Sequence, residues 1–339
     1  MHHRLSSFLM LVILLTVGSG MRFPATVNGL KTVSPSDEYS RIDAYARSAP
    51  ESAARSINSL ADYLTAPART DMDKVRVIYA WLVSHVQYDM AAANSPYRQK
   101  YYSEKEYATR VLNKRKGLCT GYALLFKHML QRAGVQAVCI RGYARTTDEE
   151  SGLPVKVVDH EWNAVNIDGD WYLFDLAWAV STAEKGAVSN DFYFLTPPEQ
   201  FVSQHFPTET RWQLLSRPVT KSEFDRFPKL YAPYFTMGFG PEFPEDGQIG
   251  GNLPAQLSFR NPRSLDFLCT VSRFGQGKGV EVPVVITRTG DTYSLRLKAS
   301  VQGTATLRVY AAPKSASRYK QFDCIASFTV SNRPQVAGL

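Results

Sequence analysis

Residues 116–122, Lys-Gly-Leu-Cys-Thr-Gly-Tyr, place Cys119 directly before a run of regularly spaced apolar residues. From Cys119 to Ala133 apolar residues recur at helical spacing, and Gly134 then supplies a C-terminal stop signal. This pattern predicts a helix that begins at Cys119. At a helix N-terminus the free backbone N–H groups and the positive end of the macrodipole favour a thiolate, and they also stabilise a nearby oxyanion.

The residues after position 160 predict a β-hairpin. Two alternating runs, 162–167 and 170–176, flank an Asp-Gly pair that is typical of a two-residue hairpin loop. In that register His160 faces Ala177, and Asp175 lies two residues away on the same face of the sheet. The two side chains would then be separated diagonally by roughly 7 Å, which long side chains can span. A three-residue loop would put them on opposite faces.

Cys119, His160 and Asp175 have the residue types of a thiol nucleophile, its base and the group that orients the base. A neutral thiol with a pKa near 8.5 is a poor nucleophile at pH 7, so the chemistry needs a nearby imidazole held in one tautomer. Each residue alone also fits a structural role: a small buried hydrophobe, a satisfied histidine or a turn former. Their joint placement favours the catalytic interpretation.

Several separated blocks resemble the transglutaminase-like superfamily, and specifically its kyphoscoliosis peptidase-like branch. They are residues 73–81 with 88–89, 117–122, 160–163, 175–178, 192–198, 205–207, 212–215 and 223–224. The superfamily includes transglutaminases, peptide N-glycanases, cysteine peptidases and modules that have lost the nucleophile. The resemblance implies that Cys119 attacks a carbonyl, His160 shuttles the proton and Asp175 holds the imidazole. An additional oxyanion donor, which the superfamily places upstream of the nucleophile, stays unassigned.

The predicted function is that of a secreted thiol enzyme that attacks protein or peptide amide carbonyls through an acyl-enzyme on Cys119. Release of the acyl group to water would make it a cysteine peptidase, and release to an amine would make it a protein transglutaminase. The resemblance favours the peptidase. A noncatalytic binding or scaffolding module of the cell envelope is the third alternative.

The N-terminus is typical of a cleaved secretory signal peptide at residues 1–20. Arg4 precedes an apolar run at 8–17, and small residues follow at 18–20. The run is too short for a bilayer, which needs roughly 20 apolar residues, and no later stretch supplies them. The sequence therefore predicts a secreted or periplasmic protein without a stable membrane span. A noncleaved anchor is the alternative.

Composition limits the other classes of function. The chain of 339 residues is 44% hydrophobic and 21% charged, which is enough for two domains. Its net charge of +8 is mild, and no zinc-finger, arginine-rich or helix-turn-helix signature accompanies it, so nucleic-acid binding is not predicted. The six histidines lack partners at ligand spacing, so neither a metal site nor a cofactor is predicted. His85, His128 and His205 are predicted to be structural.

The predicted fold class is α+β. A papain/transglutaminase-like core, with the nucleophile helix packed on an antiparallel sheet, precedes a C-terminal immunoglobulin-like β-sandwich. The sandwich prediction rests on six short strand-like segments separated by turns rich in Gly and Asp. It carries no catalytic constellation, so we expect it to serve positioning, stability or contact with a cell-envelope partner. The predicted boundaries are a signal peptide at 1–20, an N-terminal arm and helix at 21–70, the catalytic domain at 71–237, a linker at 238–252 and the sandwich at 253–332.

The four cysteines have different predicted states. Cys119 should be a free thiol, and Cys139 lies in an apolar strand-like run and should be buried. Because export permits disulfides, Cys269 and Cys324, which lie on two strand-like segments of the C-terminal domain, are predicted to be bonded to each other. The alternative is that all four are thiols.

Overall fold

The computed structural model describes residues 39–95, 102–240, 242–244, 246–250, 256–298, 303–315 and 320–331. The predicted signal peptide at 1–20 and residues 21–38 of the predicted N-terminal arm lie outside these ranges, and both stay predictions. Within the described ranges, no helix combines the length and the apolar character that crossing a membrane requires. The first part of the chain contains helices and an antiparallel sheet, and the second part forms a β-sandwich, as the sequence predicts.

Helices occupy the first part of the described chain. They are α1 (Ser40–Arg47), α2 (Ile57–Thr65), α3 (Asp71–His85), α4 (Met90–Ala93), α5 (Glu104–Lys114) and α6 (Cys119–Arg132), with a 3-10 turn at Glu51–Arg55. Several of these helices have a side-chain cap at the N-terminus. Thr70 and Asp73 form a capping box at α3, and the hydroxyl of Ser103 caps α5. Most of these helices share one hydrophobic core, so α1 and α2 pack in the same core as α6.

Two short parallel strands, β1 (Gln87–Tyr88) and β2 (Lys116–Gly117), precede α6. The sheet beneath α6 has five antiparallel strands in the order β6-β5-β4-β3-β7. They are β3 (Ala137–Ala144), β4 (His160–Ile167), β5 (Asp170–Phe174), β6 (Phe194–Thr196) and β7 (His205–Pro207). Both faces are buried. Val165 and Phe174 pack into the core shared with the helices, whereas Trp162 and Leu173 pack into a second cluster with Trp212. The sheet therefore lies inside the domain, and α6 crosses one of its faces.

The hairpin has the predicted register. Ile167 faces Asp170, and Ala164 faces Leu173. Asp168 and Gly169 both have positive φ, as a type I′ loop requires. The loop therefore has two residues, and the side-chain alternation that places His160 and Asp175 on the same face is kept.

The predicted strand is too long at its C-terminal end. β5 stops at Phe174, and α7 (Leu176–Ser181) follows at once, so Ala177 is helical and does not face His160. The physical reason is that the Asp175 side chain accepts a hydrogen bond from the backbone N–H of Trp178 and caps the new helix. Asp175 is therefore a helix cap at a strand end.

The later part of the chain connects the sheet to the sandwich. Its helices are α8 (Pro198–Phe201), α9 (Lys221–Arg226) and α10 (Ala232–Thr236). The sandwich strands are β8 (Lys229–Leu230), β9 (Gln248–Gly250), β10 (Gln256–Arg260), β11 (Leu265–Arg273), β12 (Val280–Glu281), β13 (Val284–Thr289), β14 (Thr292–Leu297), β15 (Thr304–Pro313) and β16 (Asp323–Ser331). One sheet has the order β10-β14-β13, and the other has β12-β11-β15-β16-β8 with β9 beside β16.

Two differences from the sequence interpretation concern the sandwich. The segment 280–288, which reads as one strand, is divided into β12 and β13, because Pro283 has no N–H to donate to a ladder. The segment 238–252, which reads as a linker, contains β9 in parallel pairing with β16. Since β8 also pairs with β16, the sandwich sheet begins before residue 238.

All four cysteines are thiols, which corrects the predicted bond between Cys269 and Cys324. Cys269 lies on β11 and Cys324 on β16, and β15 lies between these strands. Two strand spacings separate the cysteines by about 9–10 Å, whereas a disulfide joins Cα atoms that are usually less than about 7 Å apart. The two strand-like segments belong to one sheet, but they are not neighbours in it.

Candidate active site

Cys119 is the first residue of α6, as predicted. The residue before it, Leu118, is extended and has no polar side chain to occupy the N–H groups of the first turn. The preceding segment is fixed by a short parallel bridge in which Tyr88 faces Gly117. A Cβ placed on Gly121 would come within 2.7 Å of Val111 on α5, so a small residue is needed one turn into the helix. These contacts fix the position of the thiol.

His160 and Asp175 meet directly. Nε2 of His160 lies 2.6 Å from Oδ2 of Asp175, and both side chains are buried. The other carboxylate oxygen, Oδ1, accepts the backbone N–H of Trp178 at 2.9 Å. Because Nε2 of the imidazole is bound to the carboxylate, Nδ1 is the nitrogen available to Cys119. The Cys119 thiol lies 3.8 Å from the carbonyl oxygen of Asp159, the residue before His160, and it also contacts the His160 side chain. The three residues that the sequence selects are therefore close together.

The electrostatics of the site favour a thiolate beside an imidazolium. Burial by itself raises the pKa of Cys119, but a hydrogen bond to His160 and the positive charge of His160 outweigh it, so the pKa is lowered overall. Burial likewise opposes the charge on His160, yet the charge and hydrogen bond of Asp175 raise its pKa to about 10. Burial also opposes ionisation of Asp175, but His160 and a further histidine hold its pKa below the usual range.

That further histidine is His205, which sequence reasoning assigned a structural role. It is the first residue of β7, where it pairs with Ala144, and its Nε2 lies 2.9 Å from Oδ2 of Asp175. Burial, the largest effect, lowers the pKa of His205 to about 4. It is therefore neutral at pH 7 and donates its Nε2 proton to the carboxylate. The interval of 30 residues from Asp175 gives no spacing signal for this contact.

The side-chain ligand atoms of His160, Asp175 and His205 all lie within 4.8 Å of one another, so these residue types could hold a metal ion. Direct hydrogen bonds of 2.6 and 2.9 Å already join the two imidazoles to the carboxylate. A metal ion would have to displace both of these protons. The direct contacts account for the cluster without a metal.

The remaining candidate residues lie in other environments. Cys139 is half-buried on β3, and burial raises the pKa of its thiol to about 12, so it is a poor nucleophile. His85 stacks on Trp81 with ring centroids 4.8 Å apart. His128 is 3.9 Å from a carboxylate oxygen of Glu104.

Trp178 connects the triad to a cavity between the core and the sandwich. Its ring lies 5.3 Å from that of His160, and it also lines a cavity of about 450 Å³. The core contributes Thr146 and Tyr193 to the lining, and the sandwich side contributes residues that include Tyr231. Trp178, which packs on the His160 imidazole, and residues on the sandwich side therefore line the same cavity.

Two sequence profiles match the chain. One is described as the transglutaminase-like superfamily and covers residues 58–176, which include all three triad positions. The other is described as a KY-like, immunoglobulin-like domain and covers residues 221–335. This chain belongs to the transglutaminase-like superfamily. Its second match shows the two-domain arrangement of the kyphoscoliosis peptidase-like branch.

Curated relatives support the same branch of the transglutaminase-like superfamily. Kyphoscoliosis peptidase of Homo sapiens is 32% identical over 234 residues, which are 67% of this chain and 34% of the relative. Kyphoscoliosis peptidase of Mus musculus is 30% identical over 268 residues, which are 76% of this chain and 39% of the relative. The chain thus spans well under half the length of these relatives. A solved structure described as a TGase is 18% identical, with a TM-score of 0.29 over 49% of this chain and 40% of that chain.

Proposed function

We propose that the protein is a thiol enzyme that attacks amide carbonyls of proteins or peptides and forms an acyl-enzyme on Cys119. The observation that carries this proposal is the series of contacts from Cys119 through His160 to Asp175. Its 2.6 Å hydrogen bond and the raised pKa of His160 favour a thiolate at the start of a helix. A buried thiol with a lowered pKa has the character of a nucleophile, whereas burial alone would make it inert.

The geometry supports the following sequence of steps. The Cys119 thiolate attacks the carbonyl carbon, which forms a C–S bond and an oxyanion, and N–H groups at the start of α6 stabilise that negative charge. His160 then donates its proton to the departing amine as the C–N bond breaks, which leaves a thioester. In hydrolysis, His160 takes a proton from water as the water oxygen attacks the thioester. The carboxylic acid leaves, and Cys119 and His160 return to their starting states.

We favour water as the acceptor because the relatives at 30–32% identity are named as peptidases. Only the likeness to these relatives favours water, since hydrolysis and transfer to an amine use the same three residues. Transfer to an amine is therefore an outcome that the experiment below must distinguish. A noncatalytic module is the other outcome, and it predicts an ordinary thiol at Cys119.

We also propose that the protein is exported through the segment at residues 1–20 and acts outside the cytoplasm, where the sandwich domain can contact a cell-envelope partner. Expression of the full chain followed by intact-mass measurement tests the export. Loss of the first ~20 residues from exported protein supports a cleaved signal. A full-length product in the membrane fraction supports an anchor instead.

The test of the proposed activity uses a mixture of unfolded casein and a biotin-labelled primary amine. Wild-type protein should produce new fragments if water is the acceptor and biotinylated casein if the amine is the acceptor. Cys119→Ser should abolish either product. Cys139→Ser is the matched control, because it removes a thiol whose raised pKa keeps it protonated, and it should retain activity.

Alkylation by iodoacetamide provides the independent measure of the nucleophile. At pH 7 Cys119 of the folded protein should react faster than the thiols of the unfolded chain, because only a thiolate is reactive. Absence of fragments and of labelled casein, combined with alkylation no faster than in the unfolded chain, would contradict the proposed enzyme and favour the noncatalytic module.

A further inference from the structure

We propose that His205 is a positioning residue for this reaction, in which its neutral imidazole donates a hydrogen bond to Asp175 and keeps the carboxylate ionised and turned toward His160. The proposal rests on the proposed function, because it concerns the same site. His205 would then act together with the three residues of the triad. The proposal also gives a role to a histidine that the sequence marks only as structural.

Asp175 accepts a hydrogen bond from His205 as well as from His160. Its Oδ2 atom receives two imidazole donors, His160 at 2.6 Å and His205 at 2.9 Å, while Oδ1 receives the N–H of Trp178 at 2.9 Å. A wholly buried carboxylate depends on such donors, because it has no water to replace them. Removal of the His205 donor would leave the carboxylate with one charged and one backbone donor.

Aromatic side chains surround the imidazole of His205. Its ring stacks on Phe201 with centroids 4.0 Å apart and lies 4.5 Å from Trp178 and 5.1 Å from Trp162. This aromatic environment fixes the ring plane and aims Nε2 at the carboxylate. It also excludes water, so the ring stays neutral and its single proton lies on Nε2.

The charged and titratable groups around the cluster support a single imidazolium. Asp175 and His160 face His205 directly, and the ring of Tyr193 lies 6.4 Å away with its hydroxyl bound to Gln204. The thiol of Cys119 and the carboxyl of Glu161 interact with His160, and the hydroxyl of Tyr88 interacts with Cys119 and Asp175. A second positive charge on His205 would repel the first, so His160 alone carries the mobile proton.

Two substitutions at position 205 distinguish the effect of the N–H donor from the effect of ring packing. His205→Gln keeps an N–H donor near the position of Nε2 but loses the ring. His205→Phe keeps an aromatic ring against Phe201 but loses the donor. The measurement is the pH dependence of Cys119 alkylation, with thermal unfolding recorded on the same samples. Neither readout needs a substrate, so failure of the proposed activity on casein would leave this test intact.

If the donor matters, the Phe variant should alkylate ~10-fold more slowly at pH 7, and the acid limb of its profile should move to higher pH, because Asp175 would orient His160 less well. The magnitude is taken from partners that orient metal-ligating side chains, whose removal costs about 10- to 100-fold. The Gln variant should stay within about threefold of wild type. The opposite ranking, with the Phe variant near wild type and the Gln variant impaired, would overturn the proposal and leave His205 as packing.

A measurement on the wild-type protein covers the case in which a variant does not fold. The ¹⁵N chemical shifts of the imidazole rings should show His205 as the neutral Nε2–H tautomer at pH 7 while His160 is protonated on both nitrogens. A doubly protonated His205, or a neutral ring with its proton on Nδ1, would overturn the proposal.

Discussion

Asp175 binds His160 through one carboxylate oxygen at 2.6 Å and caps α7 through the other. The same side chain therefore ends β5, begins a helix and orients the imidazole. This double use explains why Asp175 stays so close to His160 although the strand ends before it. The position of the orienting group depends on the helix cap as well as on the hairpin.

The substitution Asp175→Asn tests the charge apart from the cap. Asn caps helices as well as Asp does, so α7 should form. The melting temperature should still fall, because the substitution removes the charged acceptor of two buried imidazole donors. Without the carboxylate charge the pKa of His160 should fall and the thiolate should be lost. We expect the rate of turnover at pH 7 to fall by about 10²- to 10⁴-fold. Turnover within about twofold of wild type would show that Asp175 has no role in the chemistry.

The lowered pKa of His205 predicts how stability depends on pH. Its pKa is about 4 in the folded state against a model-compound value of 6.5, so between these limits the unfolded chain binds a proton that the folded protein does not. The free energy of unfolding should therefore decrease as pH falls from 6.5 toward 4, by roughly 3 kcal/mol from this group. Denaturant unfolding at several pH values measures this slope. His205→Gln should reduce it, and an unchanged slope in that variant would assign the effect to other groups.

The contact between Arg308 on β15 and Asp148 connects the sandwich to the segment that leads to His160. Nε of Arg308 lies 2.6 Å from Oδ2 of Asp148, both side chains are largely buried, and Tyr231 also donates to this carboxylate. Arg308→Met should lower the free energy of unfolding by about 3 kcal/mol, because it leaves a buried carboxylate without its cation. Adding Asp148→Asn should recover part of the loss.

An exposed ion pair supplies the control for that prediction. Arg211 and Glu209 form a 2.7 Å pair whose side chains are 56% and 59% exposed. Arg211→Met should change the free energy of unfolding by less than about 1 kcal/mol. Equal effects of the two arginine substitutions would contradict the view that the buried contact secures the sandwich to the core.

Gly142 faces His160 across β3 and β4, and a Cβ at this position would lie 2.3 Å from the carbonyl oxygen of Phe206 and 2.3 Å from the ring of Trp162. Backbone cannot retreat as a flexible side chain can, so Gly142→Ala should destabilise the protein by about 3 kcal/mol or more. Gly277→Ala, where a Cβ would meet nothing within 4 Å, should change stability by no more than about 0.5 kcal/mol. Similar unfolding curves for both variants would contradict the close packing behind His160.

Local signals in the sequence predicted the parts of the fold that depend on neighbours along the chain. The helix from Cys119 follows from apolar periodicity and a stop at Gly134, and the Asp-Gly loop determines the register of β4 and β5. The predicted C-terminal end of β5 was wrong because the capping contact of Asp175 outweighs the strand pattern of the residues after it. The sequence alone offered no means of comparing those two effects.

Contacts between distant segments could not be predicted in the same way. His205 reaches Asp175 because β7 pairs with β3, and no spacing rule in the sequence gives that pairing. The prediction of a disulfide between Cys269 and Cys324 was wrong for a related reason. Strand order determines the distance between the two cysteines, and β15 lies between their strands. The break at Pro283 could have been predicted, because proline cannot donate to a ladder.

The central claim is that Cys119 is a thiolate paired with the His160 imidazolium at neutral pH. The ultraviolet absorbance of the thiolate, measured as wild type minus Cys119→Ser across a pH titration, tests it most directly. The difference signal should already be present at pH 7 and should disappear only well below the ordinary thiol pKa of about 8.5. A signal that is absent at pH 7 and rises only above about 8.5 would contradict it.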